Sequence, residues 1–278
     1  MKPYFTLNKQ NIILLLLFLM AIVVYFALYH RSPSEVNSAS SSRILEAAKG
    51  MLDQEEVAAS LVPDFNRYKD LVEKKKAFFS YLMPEIKRQN KMLWTERNVV
   101  STIHEKTSQG GLLLEPEQEL LNQFRLKYRV AQGLNNQEAA TDLLRRVDII
   151  PPALILMQAA NESGWGSSRF ARQGYNFFGL WCFNKGCGFV PKQRNEGSVH
   201  EVAKFRNLSH GIKTYLHNLN RHSAYAKLRD IRHQQREENE PVTAKALIQG
   251  LQSYSERGTE YIEELLMMLR VNKKHIGL

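Results

Sequence analysis

Cysteine is nearly absent: the 278 residues hold two, Cys182 and Cys187, in the stretch CFNKGC. A metal site would need further ligands, and no histidine lies between them. The spacing therefore reads as a small disulfide-closed loop, with two free thiols as the alternative. The Cys/His spacing of zinc fingers and the aromatic pattern of RNA-binding modules are also missing, so no nucleic-acid partner is expected. His200, His210, His217 and His222 show no His-Glu-x-x-His spacing, so neither a metal nor another cofactor is expected. There is no internal repeat. Glycine and proline are scarce, at 15 and 9, and 44% of residues are apolar, as in a globular chain. Acidic residues are in deficit, 28 against 38 basic ones, for a net charge of +10. That balance favours anionic partners such as a membrane surface or an acidic polymer, and the plain alternative is a solvated basic surface.

Charge is absent over one stretch. Ile12 to Tyr29 reads IILLLLFLMAIVVYFALY, an uncharged apolar run. At about 1.5 Å per residue a helix of this length just crosses a bilayer core. Lys2 and Lys9 precede it, and no clean small-residue cleavage site follows it. The reading is a cytoplasmic tail and uncleaved signal anchor over 1–30, with the body outside the cytoplasm. A signal cleaved within Ser38–Ser42 is the alternative. Residues 31–42 (RSPSEVNSASSS) read as a flexible linker.

Residues 43–146 carry a helical, charged pattern of no legible role, and 147–278 read as a second domain. Leu71, Phe78, Phe79, Leu82 and Ile86 recur at helical spacing, with Pro84 expected to kink or break that helix. Glu115–Val130 and Asn136–Arg146 are further helices. Pro151-Pro152 opens another, Ala153 to Glu162. From Gly174 to about Phe205 aromatic, glycine and β-branched residues dominate, and the alternation Val199, Glu201, Ala203, Phe205 predicts a short strand in a small hairpin. Helices resume near Ser209. The expected class is α+β, mostly helical, with a small β lobe.

The stretch AANESGWGSSRF holds the carboxylate of greatest interest. On a helix, Ile155, Gln158, Ala159 and Glu162 share one face. Gly164 and Gly166 can take positive φ and end the helix there. Glu162 then sits at a helix C-terminus, where the dipole disfavours negative charge, and Trp165 would dry the site. Both effects raise a carboxyl pKa, as a general acid near neutral pH requires. Gln158 could hydrogen-bond to Glu162 or a ligand. Tyr175, Phe177, Phe178 and Trp181 are numerous enough to line a sugar-binding groove, or else to form core beneath the hairpin. Tyr225 could face a cleft or serve structure.

The run QAANESGWGSSRFARQGYNFFGLWCF resembles the signature of bacterial glucosaminidases of glycoside hydrolase family 73, and among them the Bax-type membrane-linked enzymes. The resemblance covers roughly Asp148 to Arg270. It implies a lysozyme-like fold, a helical lobe facing a small β lobe, and cleavage after N-acetylglucosamine in peptidoglycan strands. It places the family's acid at Glu162. It puts Asn176 in the Asn-Phe-Phe-Gly motif and Tyr254 and Tyr261 in matching positions of LQSYSERGTEYIEEL. The resemblance therefore implies an inner-membrane protein with its catalytic domain in the periplasm. Glycoside hydrolysis commonly uses two carboxylates. The family's Thr-Glu pair on the hairpin has no equivalent here: the stretch reads KQRNE. Glu201 is the preferred second group and Glu196 the next, with the substrate's acetamido group a third option. A lytic transglycosylase and a non-catalytic glycan-binding or scaffold protein are the rival readings.

Overall fold

A computed structural model describes residues 61–191 and 200–276, together with Met20, Ser42 and Glu46. The apolar run 12–29 apart from Met20, the linker 31–42 apart from Ser42, and Glu196 lie outside the described residues. Among the described residues, no helix is long and apolar enough to cross a membrane.

A 3-10 turn at Phe65–Arg67 leads into helix α1 (Leu71–Ser108), capped by the Asp70 side chain, which accepts the Glu73 N–H at 2.8 Å. α1 runs unbroken through Pro84. Proline removes one N–H, but Pro84 and Ser80, whose carbonyl loses that partner, are both exposed. Water can replace the missing bond on that side, so the expected break does not occur. Helix α2 (Glu115–Tyr128) and helix α3 (Asn136–Arg146) follow; α3 opens with a reciprocal box between Asn135 and Glu138. Next come α4 (Pro152–Ser163) and the short α5 (Arg169–Gly174). Three strands, β1 (Trp181–Cys182), β2 (Gly188–Phe189) and β3 (Glu201–Ala203), form an antiparallel sheet in the order β1-β3-β2. Helices α6 (Leu208–Arg221), α7 (Ala226–Glu237), α8 (Ala244–Ile248) and α9 (Thr259–Ile276) complete the described chain. The class is α+β and mostly helical.

Two apolar clusters make the core. The larger joins Phe65, Phe78, Phe79, Leu82 and Ile86 to α4, α6, α8 and α9. The smaller joins Val99, Val100 and Ile103 to α2 and α3. The first half of α1 thus packs in the same core as α4, and the core does not divide at residue 146. Helical periodicity shows that α1 has an apolar stripe; it does not show against what the stripe packs.

Asp148 ties the elements together. It is 1% exposed and takes a two-pronged contact from Arg236 (Nε and Nη2, both 3.0 Å), with Arg97 at 3.5 Å. Arg232, fully buried, donates to the backbone carbonyls of Arg145, Arg146, Asp148 and Ile149. Burial pushes the Arg232 guanidinium down to about 10. Burial alone would raise the Asp148 carboxyl; Arg232, Arg236 and Arg97 outweigh it and hold the carboxyl below its ordinary value.

Candidate active site

Helix α4 carries Glu162 in its last turn, and both helix ends are built from local chemistry. At the start, Asn90 of α1 clamps Ile150, donating to its carbonyl at 2.8 Å and accepting its N–H at 3.2 Å. Pro152 fits the first helical turn because its missing N–H would have no helical partner there. At the end, Gly164 is left-handed (φ 57°) and the Trp165 N–H closes back on the Ala160 carbonyl at 2.8 Å. The Ser163 hydroxyl donates to the Ala159 carbonyl at 2.6 Å and accepts the Gly166 N–H at 2.8 Å. Trp165 is itself left-handed (φ 58°), which a bulky residue rarely adopts. Its ring is held by Phe78 and Phe79 of α1, each with centroids 5.6 Å away, and by Lys75 over its face. The aromatic expected to dry the carboxylate fastens the turn to α1.

Glu162 is half-buried. Burial raises its carboxyl above the ordinary glutamate value; Glu264 adds to the rise, while a hydrogen bond with Tyr261 and the charge of Arg257 oppose it. Arg257 and Glu264 pair at 2.6 Å, and Asn161 reaches Glu264 at 3.4 Å. Below lies a chain of hydroxyls and one amide. Tyr215 donates to Gln158 Oε1 at 2.5 Å, and Gln158 Nε2 donates to the Tyr261 hydroxyl at 2.9 Å. Since the Tyr261 oxygen accepts from Gln158, its own proton is free to point at Glu162. Burial and then the Glu162 charge raise the Tyr261 phenol. Tyr254 stacks on Tyr261 at 5.7 Å, and Tyr225 lies 5.8 Å from Tyr254. Burial raises both phenols, with Glu162 contributing.

A loop after α5 closes the other side. Gly179 (φ 63°) approaches so near that a Cβ there would stand 3.1 Å from Glu162 Oε2. Asn176 shapes this loop: its amide nitrogen donates to the carbonyls of Leu180 (2.8 Å) and Ala203 (2.9 Å), and its oxygen accepts the Leu180 N–H at 3.0 Å. Phe178 stacks flat on Tyr215 at 3.9 Å, and its carbonyl accepts the Tyr254 hydroxyl at 2.7 Å.

The structure thus brings Glu162, Gln158, Tyr225 and Tyr254 together and uses Asn176 and Phe178 to hold the loop opposite. Gln158, Asn176, Phe177 and Phe178 are all buried. The two phenylalanines pack in the larger core and do not line a groove; Phe177 lies against Phe78 and Tyr81. Gln158 bonds two tyrosines. Trp181 alone of the expected sugar-stacking aromatics is well exposed, at 55%, and it stacks on His200 at 4.2 Å.

Glu201 is buried on β3, opposite Cys182 in register. Its two carboxylate oxygens accept the N–H groups of Gly186 (2.9 Å) and Gly188 (2.8 Å). Cys182 and Cys187 form a disulfide across the same loop. Both oxygens are therefore engaged in holding the loop, which is an unfavourable state for a second reacting carboxylate. Among the described residues, the side chains with metal-ligating atoms in a group are Cys182, Cys187 and Glu201, and the two sulfurs are bonded to each other.

Sequence reasoning passed over Arg257, Glu264, Gly179 and Tyr215. Gln158–Tyr261 and Asn161–Glu264 each span 103 positions, and no local pattern predicts such a pairing.

A half-buried carboxyl raised in pKa, with a tyrosine on it, is an arrangement that general acid catalysis can use. Comparison with known proteins gives the family. Residues 137–274 match the glucosaminidase model, described as mannosyl-glycoprotein endo-beta-N-acetylglucosaminidase. The chain belongs to the glucosaminidase family. Over 221 residues it is 34% identical to "Protein bax" of Escherichia coli (strain K12), a match covering 79% of this chain and 77% of that protein. That likeness is longer than the family match, so it takes in residues outside 137–274, in keeping with the shared core. No solved structure matches the chain.

Proposed function

We propose that this protein is an endo-β-N-acetylglucosaminidase of peptidoglycan, a Bax-type member of glycoside hydrolase family 73 with a lysozyme-like two-lobed domain. The observation that carries the reading is the Glu162 carboxyl, held above its ordinary pKa by burial and touched by Tyr261. A carboxyl whose pKa is raised holds its proton to higher pH than an ordinary glutamate and can give it to the glycosidic oxygen as the bond breaks. Tyr261 then hydrogen-bonds the carboxylate left behind. Because Glu201 is committed to its loop, the second function falls to Glu196 or to the substrate's own acetamido group. The exposed Trp181–His200 pair offers a flat face to a sugar ring. The apolar run Ile12–Tyr29 would anchor the chain in a bacterial inner membrane, placing residues 43–278 in the periplasm, where the loop disulfide persists. The charge of +10 suits an anionic wall polymer.

Gly179 offers a test of geometry. Gly179→Ala puts a methyl against Glu162 Oε2 at a positive φ. Turnover should fall on the order of tenfold from the displaced carboxyl, with a stability loss of about 1 kcal/mol from the strained backbone. Steady-state kinetics beside thermal unfolding separate the two.

The reaction class is tested by mass spectrometry of products from purified peptidoglycan and from a mannosyl-glycoprotein. Reducing N-acetylglucosamine ends from peptidoglycan are the expected result. Anhydro-muramyl ends would make the protein a lytic transglycosylase, and release from the glycoprotein alone would move the substrate. No product from folded protein would point to glycan binding.

A further inference from the structure

The turn before α9 and the first turns of that helix carry two opposite charges beside Glu162. Arg257 Nη2 donates to Glu264 Oε2 at 2.6 Å, across seven positions of chain. The guanidinium lies over the Tyr261 ring, 5.0 to 6.0 Å being the usual reach of such a contact and 5.6 Å the distance here. Asn161, the residue before Glu162 on α4, reaches the same Glu264 oxygen at 3.4 Å. The pair is thus seated on the phenol that hydrogen-bonds Glu162 and on the helix that carries it.

Glu162 is faced from several elements. Its own helix presents Gln158 and Asn161, which are neutral. From α9 and the turn before it come Tyr254, Tyr261, Arg257 and Glu264, and the loop after α5 brings Gly179. Tyr215 comes from α6 and Tyr225 from the turn that opens α7. Burial raises all four phenols, so they are uncharged at neutral pH. Glu256, Glu260 and Glu263 share the turn and α9 but are exposed. Among the described residues, the formal charges that act on Glu162 are those of Arg257 and Glu264. They act in opposite senses: Arg257 favours the ionised carboxylate, and Glu264 favours the protonated acid.

The pair has little to offer stability. The Arg257 side chain is 49% exposed and that of Glu264 34%, and an ion pair so open to water adds little to folding. Its charges have more effect on Glu162, which is half-buried and less screened. Held together, the two charges largely offset each other there. Loss of either one uncovers the other.

We propose that Arg257 and Glu264 are a positioning pair for Glu162, Glu264 holding the guanidinium on the Tyr261 ring, and that the balance of their charges sets the pH range in which the enzyme works. The inference rests on the reading of Glu162 as the general acid. Both residues act through Glu162 and Tyr261.

The test is the pH profile of kcat/KM on soluble glycan strands prepared from peptidoglycan, which reports groups of the free enzyme. Wild type should lose activity on the alkaline side as Glu162 ionises. Arg257→Gln should move that limb to higher pH and Glu264→Gln to lower pH, each on the order of half a pH unit. The double variant Arg257→Gln/Glu264→Gln should bring it back close to wild type. Arg257→Lys and Glu264→Asp keep the charges and should leave the limb in place. Lys245→Gln on α8 and Glu119→Gln on α2, both exposed, make the same changes in net charge and should not move it. Added salt should shrink both displacements, because the pair is partly exposed. Folded single variants that leave the limb in place, or move it the same way, overturn the proposal and reduce the pair to a clip between α9 and α4. Equal movement in the two control variants overturns it as well, leaving only net charge. Should Arg257→Gln unfold, Glu264→Gln against Glu264→Asp still reads the sign. A limb that Glu162→Gln removes but neither pair variant moves overturns the pair and leaves the Glu162 reading standing. A wild-type profile with no alkaline limb overturns both.

Discussion

Glu162→Gln should lower turnover on peptidoglycan by roughly 10²- to 10⁴-fold, the usual contribution of a positioned general acid. The substitution keeps the side chain's shape and its hydrogen bond with Tyr261, and removes the proton to be donated. The fold should survive. Burial holds the carboxyl above its ordinary pKa, so at neutral pH the ionised form is the costly one in the folded protein. Linkage fixes the sign: a carboxyl raised on folding detracts from stability as pH rises past its unfolded value. Gln carries no such penalty, so the variant should unfold at the wild-type temperature or slightly higher at pH 7. Activity follows the same proton. It should fall as pH rises through the raised Glu162 value, and that limb should vanish from the residual activity of Glu162→Gln. A variant that unfolds early would mean that the carboxylate serves structure.

Asp148→Ala should be the most damaging change to stability. The carboxylate is buried among Arg97, Arg232 and Arg236, and its loss leaves their charges together with no counter-ion. Breaking a buried pair by removing one partner costs roughly 3–5 kcal/mol. In a fold of this size that lowers Tm by about 10 °C. Asp148→Asn keeps the shape and part of the hydrogen bonding and should fall between. The pH sign is opposite to that of Glu162. The Asp148 carboxyl is held below its ordinary value, so its stabilisation is fully present above the unfolded aspartate pKa and is lost as pH falls from there through the folded value. The wild-type-to-variant difference in Tm should therefore narrow on acidification, as calorimetry across pH would show.

Much of the helical fold was legible because its signals are local. Asn135 with Glu138, Pro152 at a first turn and Gly164 at a last turn each act within four residues. The break expected at Pro84 does not occur because a proline's effect depends on which side of the helix faces water, and that is set by packing with α4 and α9. In the sheet, β3 was legible from its alternation, whereas β1 and β2, two residues each, have no period, and the order β1-β3-β2 is a tertiary fact. Glu162 could be read from its helix end and glycine turn. Arg257 and Glu264 could not, since they reach it only once α9 and the turn before it dock on α4; Tyr261 was named only through the resemblance. Phe177 and Phe178 follow the same logic: aromatic density signals an apolar surface without saying whether chain or ligand covers it.

The central claim is that Glu162 is a carboxyl kept protonated for transfer. It is tested most directly by ¹³C NMR titration of the glutamate side-chain carboxyls, with the Glu162 resonance assigned by its disappearance in Glu162→Gln. The account predicts a midpoint clearly above the ordinary glutamate value of about 4.3. A midpoint at or below that value would contradict it, because Glu162 would then be an ionised carboxylate with no proton to give.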